Sequence, residues 1–203
     1  RKMQRVIDVV YTVWEQEWPM PGDILPLLEA SKEFVRHKSS GPGLERVLDH
    51  VSVNVGTIRG GDKVNKIPDH CEAEFDLRTP FGVDPYEVFQ WLKDRLRAEG
   101  IEAELITSEN LLPANYTLPS EDVVQSVVRC GCQILGRSVQ PSLQWASSDA
   151  RHFRLRGIPT IQFGPAELDG IHSYNERVTV KEVQECALVY AAIAVDFCFR
   201  DAR

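Results

Sequence analysis

No stretch of this sequence is apolar over the roughly 20 residues that a membrane-crossing helix requires, so no helical membrane span and no membrane partner are expected. Positive charge is short as well: 23 Lys and Arg stand against 30 Asp and Glu, a net charge of -7. With a pI near 5.3, that balance argues against nucleic acid and against an anionic membrane surface as partners. Cysteine is sparse. Its five residues, at 71, 130, 132, 186 and 198, are odd in number and form neither a Cys-x-x-Cys site nor a disulfide framework. Cys130-Gly131-Cys132 reads as small apolar residues on a helix, and the cysteine usage suits a reducing cytoplasm, the expected location. No internal repeat, low-complexity tract or leader pattern is visible. Arg1-Lys2-Met3 falls in the middle of a helical pattern, so the polypeptide is expected to continue before Arg1.

What is present is an ordinary globular composition, 43% apolar and 26% charged, long enough for two small domains. Met3, Val6, Ile7, Val10, Val13 and Trp14 recur at helical steps until Pro19 and Pro21. Residues 19–48 are irregular or helical, with a Ser/Gly/Pro break at 39–43. Val51, Val53 and Val55 alternate with other residues, as do Cys71, Ala73, Phe75 and Leu77 with Glu72, Glu74, Asp76 and Arg78, predicting two strands close enough to pair antiparallel. Asp84-Pro85-Tyr86-Glu87 opens a helix carrying Val88, Phe89, Leu92 and Leu96, which Gly100 ends. Residues 101–105 alternate again as a third strand. The order helix, strand, strand, helix, strand is a split βαβ, ferredoxin-like unit without its first strand.

After Leu112-Pro113 the pattern changes. Ser120 is expected to cap a helix closed by Gly136, followed by a strand near 139–145, a short helix near 149–156 and a buried strand over 158–163. Thr179-Val180-Lys181-Glu182 is a capping box opening a last helix, with Val183, Ala187, Tyr190, Ala191 and Ala194 on one side. Alternating helices and strands predict an α/β layer with a largely parallel sheet.

Three clusters could carry chemistry. Gly60-Gly61 precedes Asn65 in a tight turn, and Arg78 lies on the polar face of the strand that follows, where its planar guanidinium could take a carboxylate through two hydrogen bonds. The plainer alternative is a hairpin turn and an ion pair with Glu72, Glu74 or Asp76. Ser147-Ser148-Asp149-Ala150-Arg151 sits where a strand enters a helix, a natural anion site, or simply an N-cap. Phe163-Gly164-Pro165 ends the buried strand, and His172 follows in a polar loop, where α/β proteins place active sites and where imidazole can bind zinc. A lone loop histidine is otherwise a surface residue, the reading given to His37, His50, His70 and His152.

Together these residues resemble the dinuclear-zinc amidohydrolase and peptidase family that includes acetylornithine deacetylase, succinyl-diaminopimelate desuccinylase, aminoacylase and carboxypeptidase G. The motifs that carry the resemblance are Gly60-Gly61, Asn65-Lys66-Ile67-Pro68-Asp69, Asp76-Leu77-Arg78, Ser148-Asp149-Ala150-Arg151, Gly157-Ile158-Pro159, Gly164-Pro165 and His172 with Glu176, running from about residue 50 to 195. The resemblance implies an α/β chain made of two parts. Residues 1–111 would be a dimerisation and substrate (lid) domain, N-terminally truncated, and 112–203 the C-terminal half of a zinc-peptidase catalytic domain. It implies His172 as a zinc ligand, Asn65, Arg78, Ser148 and Gly164 as substrate-binding positions, and a homodimer in which some small-domain groups reach the other subunit's active site. Two zinc ions, with cobalt as a substitute, are the implied cofactors, and an N-acyl amino acid or peptide is the implied substrate, its acyl group left open.

The departures from the family pattern are specific. No His-x-Asp triplet and no adjacent Glu pair occur in the sequence, and one imidazole cannot hold two zinc ions. No catalytic residue is therefore assigned, and the isolated chain is expected to be inactive, its missing ligands lying outside these residues. The competing expectation is a non-catalytic dimerisation and carboxylate-binding module.

Overall fold

A computed structural model describes residues 1–39, 41–107, 111–165 and 173–199, apart from the side chain of Cys198. The chain divides into two compact units, Arg1–Leu25 with Arg46–Ala114, and Pro26–Glu45 with Asn115–Arg203.

The first unit begins with helix α1 (Lys2–Tyr11), continued by a 3-10 turn over Thr12–Glu15. Strands β1 (Ser52–Gly60) and β2 (Cys71–Arg78) then form an antiparallel hairpin, and helix α3 (Pro85–Ala98) follows. The start of α3 forms as its residues require: the Asp84 side chain accepts from the Tyr86 amide at 2.8 Å, and Pro85 occupies the first turn. At its end Gly100 takes φ +64, which lets the Ile101 amide reach back to the Leu96 carbonyl at 2.9 Å. The apolar stripes meet in one core of Val10, Val13, Val51, Val83, Val88 and Leu92, with Phe75, Leu77 and Trp91 packed against it. Each such side chain contributes about 1.5–3 kcal/mol on burial.

Alternation across the hairpin is interrupted once. Val53 pairs with Leu77 and Val55 with Phe75, but Thr57 stands opposite Glu74, so Gly56 is an extra residue and the phase of β1 inverts there. Beyond this bulge Ile58 joins the face of Ala73 and is half exposed to solvent. The third strand expected over 101–105 is in no ladder. Ile101 is buried against Val9 and Leu96 instead, so its alternation serves packing rather than pairing.

The second unit contains helices α2 (Leu25–Lys38, from its second residue on), α4 (Asp122–Leu135), α5 (Ala150–Arg154) and α6 (Val180–Cys198). Among its described residues no strand ladder forms, contrary to the expected strands at 139–145 and 158–163. Their amides find side chains: Val139 donates to Cys132 Sγ at 3.3 Å, Leu143 to Ser31 Oγ at 2.8 Å and Thr160 to Thr117 Oγ1 at 3.0 Å. The N-cap of helix α4 is Glu121 rather than Ser120, because a turn closed by the Glu121 amide on the Leu118 carbonyl holds Ser120 ahead of the helix. The Thr179–Glu182 capping box is formed.

Helix α6 turns the side singled out in its sequence outward. Val183, Ala187, Tyr190, Ala191 and Ala194 are exposed, while Cys186, Val189, Ile193 and Asp196 face inward. Apolar residues line both sides of this helix, so periodicity alone does not choose between them. Polar contacts to α4 help to choose: the fully buried Ser126 donates to Asp196 Oδ2 at 2.6 Å, and Arg129 Nη2 donates to the same oxygen at 2.7 Å.

Candidate functional site

The hairpin presents its two singled-out residues at opposite ends. Gly61, at φ +76, lies against Pro68 in the loop that joins the strands. In the same loop the Lys66 amide closes a turn on the Lys63 carbonyl at 3.2 Å, and Lys66 Nζ pairs with Asp62 at 3.1 Å. Asn65 sits exposed in this turn, between Val64 and Ile67, which are 106% and 90% exposed. Their apolar surface has no cover within the unit.

Arg78 ends β2 opposite Ser52, seven residues beyond Cys71. At about 3.3 Å per residue that separates it from the loop by roughly 23 Å. Within one chain Asn65 and Arg78 therefore do not close on the same carboxylate. The Arg78 guanidinium is half exposed, and Nε and Nη2 donate to Asp76 Oδ2 at 3.0 and 2.9 Å. Of the acids on its own strand, Asp76 is the partner, rather than Glu72 or Glu74. Glu74 is bonded to Thr57 Oγ1 at 2.6 Å, and Glu72 lies near His70.

The region from Ser147 to Gly164 belongs to the second unit. Asp149 caps α5 by position only, with no side-chain hydrogen bond, and the helix is five residues long, too short to make its N-terminus an anion site. The adjacent serines are engaged elsewhere: Arg151 Nη1 donates to Ser147 Oγ at 3.2 Å, and Gln162 Nε2 donates to Ser148 Oγ. Gly164 lies in an exposed bend where an added Cβ would meet nothing. Just before it, the Phe163 carbonyl accepts from the Tyr190 hydroxyl, and the two rings meet edge to face with centroids 5.6 Å apart. The structure thus brings Ser148 and Gly164 onto segments joined by Gln162. His172 lies outside the described residues.

Two arrangements had no signal in the spacing. Arg154, the last residue of α5, donates to Thr160 O at 2.8 Å, to Thr117 Oγ1 at 3.1 Å, and to the main-chain and side-chain oxygens of Asn115 at 3.2 and 3.4 Å. Burial pulls its pKa below the ordinary arginine value, and it borders a cleft of about 200 Å³. His50, read as a surface residue, is half-buried: Nδ1 lies 2.7 Å from Asp49 Oδ1, and the ring is 5.6 Å from that of Trp14.

Among the described residues no group of three or more His, Cys, Asp or Glu side chains could hold a metal ion. The described residues therefore do not make up a zinc site.

Residues 15–104 match the family model of the peptidase dimerisation domain of M20 type. Succinyl-diaminopimelate desuccinylase of Aliarcobacter butzleri is 28% identical over 141 residues, covering 69% of this chain and 37% of that protein. Acetylornithine deacetylase of Myxococcus xanthus is 28% identical over 153 residues, covering 72% of this chain and 38% of that protein. The fold resembles an M20 family metallo-carboxypeptidase from Sulfolobus solfataricus at a TM-score of 0.64 and 15% identity, over 95% of this chain and 51% of that one. The matched part thus covers well under half the length of these curated relatives.

Proposed function

We propose that this chain, whose residues 15–104 match the M20 peptidase dimerisation domain, forms part of a zinc-dependent enzyme hydrolysing an amide bond in an N-acyl amino acid or peptide-like substrate. Its relatives include a desuccinylase and a deacetylase, both amide-bond hydrolases. The observation that carries the reading is the hairpin. It places Arg78 at the end of a strand with its guanidinium half exposed and turned side-on to Asp76, which supports a carboxylate-binding role. His172 is the proposed zinc ligand; these 203 residues contain neither a His-x-Asp triplet nor an adjacent Glu pair to serve beside it. The second apolar side of α6, with Leu188 and Val195 more than half exposed, supports further chain packing there.

Asn65 and Arg78 serve different sites in this proposal. One hairpin is too long to bring both to one substrate. A homodimer built through the small domain resolves this, with Asn65 of one copy reaching the substrate held by Arg78 of the other. Within the second unit, Ser148 and Gly164 are the proposed substrate-facing positions.

The test is hydrolysis by the gene product that carries this chain, loaded with zinc and offered N-acetyl and N-succinyl amino acids and dipeptides. Turnover that a chelator abolishes and zinc restores is expected, and His172→Ala should reduce it more than about tenfold. A zinc-loaded product that hydrolyses none of these, yet dimerises and binds an N-acyl acid, would instead be the non-catalytic module.

A further inference from the structure

We propose that Arg154 is a positioning residue that fixes the spacing between Ser148 and Gly164, the two substrate-facing positions of the second unit; this rests on the function proposed above. The argument begins with a circuit of bonds. Ser148 stands two residues ahead of α5, and Arg154 ends that helix. Arg154 Nε donates to the Thr160 carbonyl at 2.8 Å. Two residues further on, Gln162 donates back to Ser148 Oγ, and Gly164 follows after two more. The helix and the segment carrying Gly164 are thus tied at both ends, by Arg154 at one and by Gln162 at the other.

Thr117 completes the joint. Its hydroxyl donates to the Thr160 carbonyl at 2.6 Å and accepts from the Thr160 amide at 3.0 Å, doing with a side chain what a neighbouring strand would do. Arg154 donates to the same hydroxyl at 3.1 Å and to both oxygens of Asn115. Acceptors on three residues converge on one guanidinium, and none of them is charged. A lysine ammonium lacks the planar spread of donors needed to serve them together. Gly157 makes the return possible: at φ +74 it turns the chain directly after α5, so that the Ile158 amide reaches the Phe153 carbonyl at 3.1 Å. The cleft of about 200 Å³ beside Arg154 and Thr117 is large enough to admit a free guanidinium ion.

The experiment compares wild type, Arg154→Ala, Arg154→Lys and the milder Thr117→Val in the gene product that carries this chain. Amide hydrogen exchange at Thr160 and hydrolysis kinetics are both read. Exchange at Thr160 should quicken at least about tenfold in all three variants while the Glu182 amide, in the capping box of α6, stays protected. Hydrolysis by Arg154→Ala should fall at least about tenfold in kcat/KM, and millimolar guanidinium should restore part of it. The same salt should leave wild type unchanged, and Arg154→Lys should stay impaired. Thr160 exchange unchanged in Arg154→Ala and Thr117→Val, or activity lost only in proportion to global unfolding and deaf to guanidinium, overturns the positioning role. A wild-type product without hydrolase activity overturns the proposed function instead, and the exchange result still decides whether Arg154 holds this segment.

Discussion

Arg78 gives both Nε and Nη2 to a single oxygen of Asp76, two residues before it on β2. That side-on contact leaves the other edge of the guanidinium, Nη1 with Nη2, for a second carboxylate. Asp76 therefore orients the fork rather than consuming it. Asp76→Ala should raise KM for N-acyl amino acids severalfold and leave KM for their amides nearly unchanged. Because the pair is half exposed, stability should change by no more than about 1 kcal/mol. Steady-state kinetics with a urea titration check both, and an equal change for acid and amide counts against the orienting role.

Gly82, between β2 and α3, has φ +80, and an added Cβ would lie 2.4 Å from Pro21 Cδ. Gly100 has φ +64 with nothing in reach of a Cβ. Gly100→Ala should cost about 1 kcal/mol from backbone strain alone. Gly82→Ala adds a collision with a ring that cannot bend away and should cost at least about 2 kcal/mol. Equal shifts in the unfolding midpoint would show that the close approach of Pro21 does not matter.

Glu182 accepts hydrogen bonds from the Thr179 hydroxyl and amide, and these hold its carboxyl below the ordinary carboxylate value. A depressed carboxylate contributes stability that is fully present above its unfolded pKa and lost as pH falls through the folded one. Thr179→Ala should therefore weaken the chain near neutral pH and lose less on acidification than wild type does. Thermal melts from pH 7 downward check this, and parallel curves for the two proteins would contradict it.

Assembly is a further expectation. Val64 and Ile67 stand exposed at the hairpin loop, and the two strands have no third partner among the described residues. The gene product should be a dimer by light scattering at micromolar concentration. Charging the loop with Ile67→Lys should weaken substrate turnover if the loop reaches a second copy. A clean monomer with full turnover would contradict the arrangement.

What the sequence made legible was local. The caps at Asp84 and Thr179 follow from residues within three positions, and both formed. The hairpin followed from alternation, although the bulge at Gly56 could not, since an extra residue leaves both flanking patterns intact. The inward face of α6 does not follow from its pattern because apolar residues line both sides, and the choice falls with contacts to α4 such as Ser126–Asp196, 70 residues apart. The clasp of Thr117 on Thr160 spans 43 residues and has no periodicity at all. Of the site, residue types were legible and distances were not. That Asn65 and Arg78 stand at opposite ends of one hairpin emerges only when the strands are counted in register.

The most direct test of a carboxylate-reading amide hydrolase is kinetic: kcat/KM for an N-acyl amino acid and for its carboxamide, measured on the zinc-loaded gene product with Arg78 and with Arg78→Lys. Lysine keeps the charge and loses the fork, so the acid should lose about 1–3 kcal/mol of transition-state binding while the amide loses far less. Equal losses on acid and amide would contradict the account.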